Sequence, residues 1–366
     1  MSDIIALKDL CEIDITDGTH KTPTYSESGY IFLSSKNVTT GEIDWDNVMY
    51  IPDWLHNELY RRISPQKDDI LLAKNGTTGV AAIVDRDEIF DIYVSLALIR
   101  PKKTKILPRY LLHAINSEPS KRYFDGHLKG IGVPNLHLTH IRETPIKVPN
   151  FEKQISVVNE LDKVTNLINK RKEQLEKLDE LVKARFVELF GDYRINEKGF
   201  DCNKGSELFK FSSGKFLPEE KRLDKGIPVY GGNGIAWYTN ECLIDYPTII
   251  IGRVGAQCGN IHAVTTPVWI TDNAIYIKEQ KTKAYTLEFL TELMKMMDFY
   301  QYADFSGQPK ITQKPLETLE YIMPPIELQN EYTAFVKQTD KSKLEVQKSL
   351  EKLELLKKAL MQKYFG

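Results

Sequence analysis

The sequence predicts an α+β protein: two similar mixed α/β domains separated by two long antiparallel helices forming a coiled coil, related as a pseudo-two-fold internal repeat. Three observations carry this prediction. First, KLDELVKARFVELFG (Lys177 to Gly191) matches KLELLKKALMQKYFG (Lys352 to Gly366) without a gap, seven of fifteen positions being identical at a shift of 175 residues. Second, the shift persists upstream, where composition is no longer helical. VPNLHLTHIRETPIKVPNFEKQ (Val133 to Gln154) lies over QPKITQKPLETLEYIMPPIELQ (Gln308 to Gln329), placing Pro134 on Pro309, Leu136 on Ile311, Ile141 on Leu316, Pro149 on Pro324 and Gln154 on Gln329. Third, residues 151–190 and 326–365 form two 40-residue stretches free of proline and glycine, each bounded by proline before and glycine after.

Taken in order, residues 1–150 form the first domain, with strand patterns in YIFLSS, DILLAK, VAAIVD and YVSLALIR and helical spacing in RYLLHAINS. Residues 151–191 form the first long helix, whose Leu161, Val164, Ile168, Leu175, Leu178, Val182 and Leu189 fall on a and d positions of a heptad interrupted by Arg171 and Arg185. Residues 192–325 form the second domain, with strands in PVYGG, TIIIGRV and WITDNAIYIK and a helix in LEFLTELMKMMDFY. Residues 326–366 form the second long helix, whose Val336, Val346, Leu350, Leu353 and Leu360 keep a seam interrupted by Thr339, Lys343 and Lys357. Such stripes must be buried, and the simplest partner for each is the other. Forty helical residues make a rod of about 60 Å, so an antiparallel return would hold the two domains at its opposite ends. The final Phe-Gly would then lie near the start of the first domain, as Phe190-Gly191 lies near the start of the second.

A glycine loop also recurs. DILLAKNGTTGVAAIV (Asp69 to Val84) stands beside TIIIGRVGAQCGNIHAV (Thr248 to Val264), each an apolar strand, a basic residue and two glycines.

Bulk properties narrow the function. With 366 residues and 42% hydrophobic content the chain can bury a substantial core. No apolar run reaches the roughly 20 residues that span a bilayer, and MSDIIALKDLCEID lacks the pattern of a signal peptide, so a cytoplasmic location without membrane contact is expected. Cys11, Cys202, Cys242 and Cys258 are far apart with no CxxC pair, which suggests neither a zinc site nor disulfides. The net charge of −2 leaves no basic footprint. Residues 1–150 carry 18 Lys+Arg against 20 Asp+Glu and residues 192–325 carry 15 against 17, so any positive surface must come from charges segregated to one face.

The tools of an enzyme are missing. There is no GxxxxGK[ST] loop, no GxGxxG strand-turn-helix, no acid or amide before Pro324-Pro325 to resemble a methyltransferase loop, and no ligand spacing around His137 and His140. A non-catalytic protein without cofactor or metal is expected.

The repeat, the glycine loops, GIPVYGGNGIAWYTN (Gly226 to Asn240), VPNLHL and GQPKIT, the PNFEKQ and PPIELQ helix starts and the two FG endings, in this order over the whole chain, resemble the specificity subunits of type I restriction-modification systems. The resemblance implies two target-recognition domains on a central coiled coil. It also implies binding to double-stranded DNA, to two methyltransferase subunits and, in the full complex, to restriction/translocase subunits. Two unlike domains on a stiff spacer would read a bipartite asymmetric target, the helices fixing the spacer; half-sites one turn apart are about 34 Å centre to centre. Two other readings are a specificity partner of a fused restriction-methylation enzyme and a coiled-coil scaffold that never touches DNA.

Polar and basic residues in loops after strands are the candidate DNA contacts, because Arg or Lys addresses guanine, Asn or Gln adenine, and glycine lets backbone approach phosphate. In the first domain they are Lys36, Asn37, Lys74, Asn75, Thr77, Thr78, Asn135 and His137. In the second they are Lys215, Asn233, Arg253, Gln257, Gln308 and Lys310. Structural alternatives stand beside these: a plain hairpin turn for each glycine loop, and capping or turn roles for Asn135 and Gln308.

Overall fold

The computed structural model describes residues 3–128 and 134–366. Val133, the first residue of the upstream match, lies outside them. The chain divides into two compact units, Met1–Lys172 with Lys348–Gly366, and Glu173–Gln347.

In the first unit the strands are β1 (Asp3–Ala6), β2 (Thr16–Asp17), β3 (Tyr30–Leu33), β4 (Met49–Ile51), β5 (Ile70–Ala73), β6 (Ala81–Ile83), β7 (Phe90–Ile92), β8 (Leu96–Ile99) and β9 (Pro145–Val148). The helices are α1 (Asp53–Tyr60), α2 (Pro108–Ile115), α3 (Glu118–Asp125), α4 (Leu138–Arg142) and the first part of α5 (Phe151–Phe190). The strands make an antiparallel sheet β2-β8-β5-β6, a mixed sheet β4-β3-β7 with β3 and β7 parallel, and a ribbon β1-β9 pairing Asp3 with Val148 and Ala6 with Pro145. The ribbon brings the start of the domain beside its exit into α5.

The second unit repeats this plan. Its strands are β10 (Asp201–Lys204), β11 (Phe209–Ser213), β12 (Ile227–Gly231), β13 (Gly234–Thr239), β14 (Thr248–Gly252), β15 (Ile261–Val264), β16 (Trp269–Ile270), β17 (Ala274–Gln280) and β18 (Glu320–Met323). Its helices are α6 (Gly205–Leu208), α7 (Leu287–Met296), α8 (Gln313–Thr318) and the first part of α9 (Ile326–Phe365). The sheets are β11-β17-β14-β15, β13-β12-β16 with β12 and β16 parallel, and the ribbon β10-β18. Strand for strand, the pairings of the first unit recur. Sequence patterns found the long central strands β5, β8, β14 and β17. They also found β3, β6 and β12, and WITDNAIYIK takes in β16 as well as β17; among the strands they missed are β1, β7 and β10.

Both long helices span their expected 40 residues. Within each unit the portions of α5 and α9 run antiparallel. In the first, Tyr364 donates to Glu160 at 2.6 Å, and the Lys153 ammonium lies over the Tyr364 ring. In the second, Lys343 pairs with Asp179 at 2.7 Å and Arg185 pairs with Glu331. Leu161, Val164, Ile168 and Val182 are buried as the heptad requires, as are Val336, Val346 and Leu350. The FG endings take equivalent places: Phe365 packs on Tyr110 of α2 at 5.3 Å, and Phe190 on Phe289 of α7 at 4.9 Å. Each therefore joins the core of the unit that its helix reaches last.

Gln154 and Gln329, one turn into the two long helices, are fully buried. Gln154 Oε1 accepts from Leu107 N at 2.9 Å, while its Nε2 donates to Pro149 O at 2.9 Å and Lys105 O at 3.4 Å. Gln329 Oε1 accepts from Thr286 N, and its Nε2 donates to Pro324 O and Ala284 O, all at 2.8 Å. Leu107 and Thr286 are the residues capping α2 and α7. One amide thus ties the start of the long helix to the start of the domain helix, through backbone groups alone. Replacing Gln154 by Ala strands a buried N–H and two carbonyls, a loss of about 1–3 kcal/mol. Denaturant unfolding of Gln154→Ala is expected to show that loss, with hydrogen-exchange protection falling in the first unit and persisting in the second.

Candidate nucleic-acid interface

The two glycine loops are hairpin tips, β5 to β6 and β14 to β15, built by the same backbone bonds. Gly79 N donates to Ala73 O at 2.9 Å, and Gly259 N to Gly252 O at 2.8 Å. Positive φ at Gly76 (77°) and Gly79 (79°), and at Gly255 (83°) and Gly259 (90°), explains the glycines. Each tip is docked on the segment after a matched proline: Gly76 N donates to Pro134 O and Leu136 N to Lys74 O, just as Gly255 N donates to Pro309 O and Ile311 N to Arg253 O. Isolated bridges Asn75–Asn135 and Val254–Lys310 complete the two junctions. The loop is therefore a structural turn that presents its side chains from a braced frame.

A third glycine pair, missed in the sequence, frames the same edge. A Cβ on Gly18 would lie 1.9 Å from Ile92 O, and one on Gly214 2.1 Å from Thr271 O, so only glycine permits the approach after β2 and β11. The signal was present as DGT and SGK, but their flanks share too little for the eye to pair them.

In the second unit the candidates converge. Gln257 and Asn233, both exposed, accept from the Asn260 amide at 2.7 and 3.3 Å. Exposed Gln308 lies over Gly255, Lys310 bridges to Val254, and exposed Lys215 follows Gly214 with its backbone N donating to Ile270 O at 2.8 Å. Arg253 is half-buried. Its guanidinium reaches only the Asp272 carbonyl, at 3.5 Å, and it has no ion pair among the described residues. Asn260 was not anticipated, because the loop alignment sets it against the apolar Val80.

The first unit is different, and two expectations need correction. Lys74, the counterpart of Arg253, is buried with its ammonium 3.2 Å from the Asp17 carboxylate. His20 approaches the same carboxylate at 3.2 Å. No carboxylate stands at the matching place in the second unit, where Ser213 precedes Gly214. Asn37 is also buried, and its amide is spent holding its own loop: Oδ1 accepts from Ser34 N at 3.0 Å, and Nδ2 donates to Asn47 O at 3.0 Å. Neither side chain is presented to a ligand. Lys36, Thr77 and His137 are exposed and Thr78 partly so, while Asn75 and Asn135 are half-exposed with their Oδ1 atoms buried and unbonded among the described residues. His137 also caps α4.

Among the described residues there is no cluster of metal-ligating side chains and no helix long and apolar enough to cross a membrane.

A sequence profile described as the type I restriction modification DNA specificity domain matches residues 2–177 and again residues 197–355. The putative type I restriction enzyme MjaX specificity subunit of Methanocaldococcus jannaschii is 25% identical over 97% of this chain and 90% of its own. The EcoprrI specificity subunit of Escherichia coli is 29% identical over 34% of this chain and 31% of its own. Among solved structures, the S subunit of a type I restriction-modification system from M. genitalium covers 100% of this chain and 96% of its own at a TM-score of 0.66 and 18% identity, a likeness of fold. With its strand plan repeated and both copies matched by one domain profile, the chain belongs to the type I restriction modification DNA specificity family.

Proposed function

We propose that this chain is the non-catalytic, sequence-reading subunit of a type I restriction-modification complex, each domain reading one half of a bipartite asymmetric DNA target. The observation that carries this is the pairing of one braced hairpin frame with unlike side chains. The frame recurs bond for bond in the two units, yet Arg253 stands uncompensated where Lys74 is neutralised. Equal frames with unequal chemistry suit two readers of different short sequences.

In the second unit the reading surface consists of Arg253, Asn233, Gln257, Gln308, Lys310 and Lys215, with Asn260 holding Asn233 and Gln257 together. In the first it consists of Lys36, Thr77, Thr78 and His137, with Asn75 and Asn135 at the junction behind them. Near-neutral domains have modest DNA affinity of their own, which fits a reader that borrows phosphate contacts from partners. Those partners are two methyltransferase subunits docked along the helices, with restriction/translocase subunits joining in the full complex, in the cytoplasm. The long helices fix the distance between half-sites.

The test is co-expression with the methyltransferase subunit of the same system, followed by genome-wide mapping of adenine methylation. A stable complex and one bipartite methylated sequence are expected; a chain that never co-purifies and leaves the genome unmodified is a scaffold instead. Single variants separate reading from folding. Arg253→Ala is expected to weaken methylation about 10- to 100-fold, the worth of a bidentate base contact, and to relax only one half of the target while the melting temperature holds. Lys74→Ala removes the buried cation beside the Asp17 carboxylate, leaving it His20 at 3.2 Å and Arg62 at 3.9 Å, and is expected to cost about 1–3 kcal/mol of stability, the methylated sequence staying the same. A changed sequence in Lys74→Ala, or an unchanged one in Arg253→Ala, would reverse the assignment of the two positions.

A further inference from the structure

The joint between each long helix and its domain carries a salt bridge, and the two bridges have opposite polarity. In the first unit Arg109 of α2 lies 3.3 Å from Asp162 of α5, and His113, one turn further along α2, lies 3.0 Å from the same carboxylate. The buried glutamines fix which residues correspond. Counting from the capping residues Leu107 and Thr286, Arg109 matches Glu288 and His113 matches Glu292; counting from Gln154 and Gln329, Asp162 matches Lys337. In the second unit Lys337 lies 2.8 Å from Glu288, and Glu292 turns to Lys295 at 2.7 Å. The same two helices meet at the same place with the Arg109–Asp162 polarity inverted in Glu288–Lys337.

Burial alone would push the Asp162 carboxyl up, but the His113 hydrogen bond and the Arg109 charge outweigh it and hold it below its ordinary value. Lys337 outweighs burial at Glu288 in the same way. Both joints are thus electrostatically matched in place.

Other side-chain contacts differ between the joints, Tyr364 with Glu160 in the first and Arg185 with Glu331 and Thr286 with Thr333 in the second, but at none of them do corresponding residues exchange sign. The glutamine bonds only backbone, and the aromatic end of a long helix packs on Tyr110 or Phe289 alike. Docking the start of α5 on α7 would set Asp162 against Glu288 and Glu292, and the start of α9 on α2 would set Lys337 against Arg109 and His113.

We propose that this inverted polarity is a pairing key, which directs each long helix to its own domain and rejects the other domain, in the same chain or in a second copy of it. Repeated units otherwise invite exchange of equivalent elements between chains. A side-chain exposure of 24% for Asp162 and 11% for His113 gives the contact more weight than a fully solvated pair.

The test is refolding of the full-length chain from denaturant over a range of concentrations, with monomer and oligomer resolved by size-exclusion chromatography and light scattering. The variant R109E/H113E/D162K gives the first joint the polarity of the second, so both joints are satisfied but no longer distinct. Its melting temperature is expected near that of the parent, while its oligomer-to-monomer ratio rises about threefold, as few exposed charge contacts allow. Adding E288R/E292H/K337D inverts the second joint as well and is expected to restore the parental ratio. Parental refolding of the three-fold variant, or no recovery in the six-fold one, would overturn the key. Should the three-fold variant melt low, comparison with D162K alone decides: the key requires the added R109E/H113E to recover stability, and its absence overturns the key as well.

Discussion

The structure depends on how a 40-residue helix is fastened to a domain at its first turn. A single buried glutamine, Gln154 or Gln329, performs this in each copy by closing three backbone bonds. An amide is suited to the task, because one side chain both donates and accepts. It links a helix to a capping N–H and to carbonyls that would otherwise be buried unpaired, a costly state. Since every partner of the glutamine is backbone, these bonds do not depend on the domain's side chains, which act at the joint through the Arg109–Asp162 and Lys337–Glu288 pairs instead.

The same economy appears at the reading edge. Hairpin glycines, the Pro134 and Pro309 segments and the tight approaches at Gly18 and Gly214 hold the frame by backbone, leaving side chains to carry the differences. Where a side chain is conscripted into the frame, as Lys74 is by Asp17, it is lost to recognition. Where it is not, as at Arg253, a cation stands in a braced position with only a carbonyl for company. The two units thereby convert one architecture into two chemistries.

Much of this was legible in the chain itself. The 175-residue shift paired Gln154 with Gln329 and Pro134 with Pro309, and the proline- and glycine-free stretches gave both long helices to the residue. Each FG ending was rightly assigned to its domain, Phe365 to the first and Phe190 to the second, an assignment that rests on the two long helices running antiparallel. What stayed hidden was tertiary. Lys74 reads as an exposed loop cation until Asp17, far upstream, is seen to lie across from it; Asn37 reads as a base reader until its amide is found closing its own turn. Asn260 sits opposite an apolar residue in the loop alignment, so only the fold reveals its bonds to Asn233 and Gln257. The short β7 left no periodic trace, and it is against the ends of β7 and β16, parallel to β3 and β12, that Gly18 and Gly214 are set.

In the function proposed above, the two copies read separately, each through its own domain. The most direct measurement exchanges residues 1–150 for the equivalent region of a relative, keeps α5 and α9, and maps methylated sites by long-read sequencing in cells that supply the methyltransferase subunit. A new sequence is expected in one half of the target, with the other half and the spacer unchanged. A change in both halves, or in neither, would contradict separate reading.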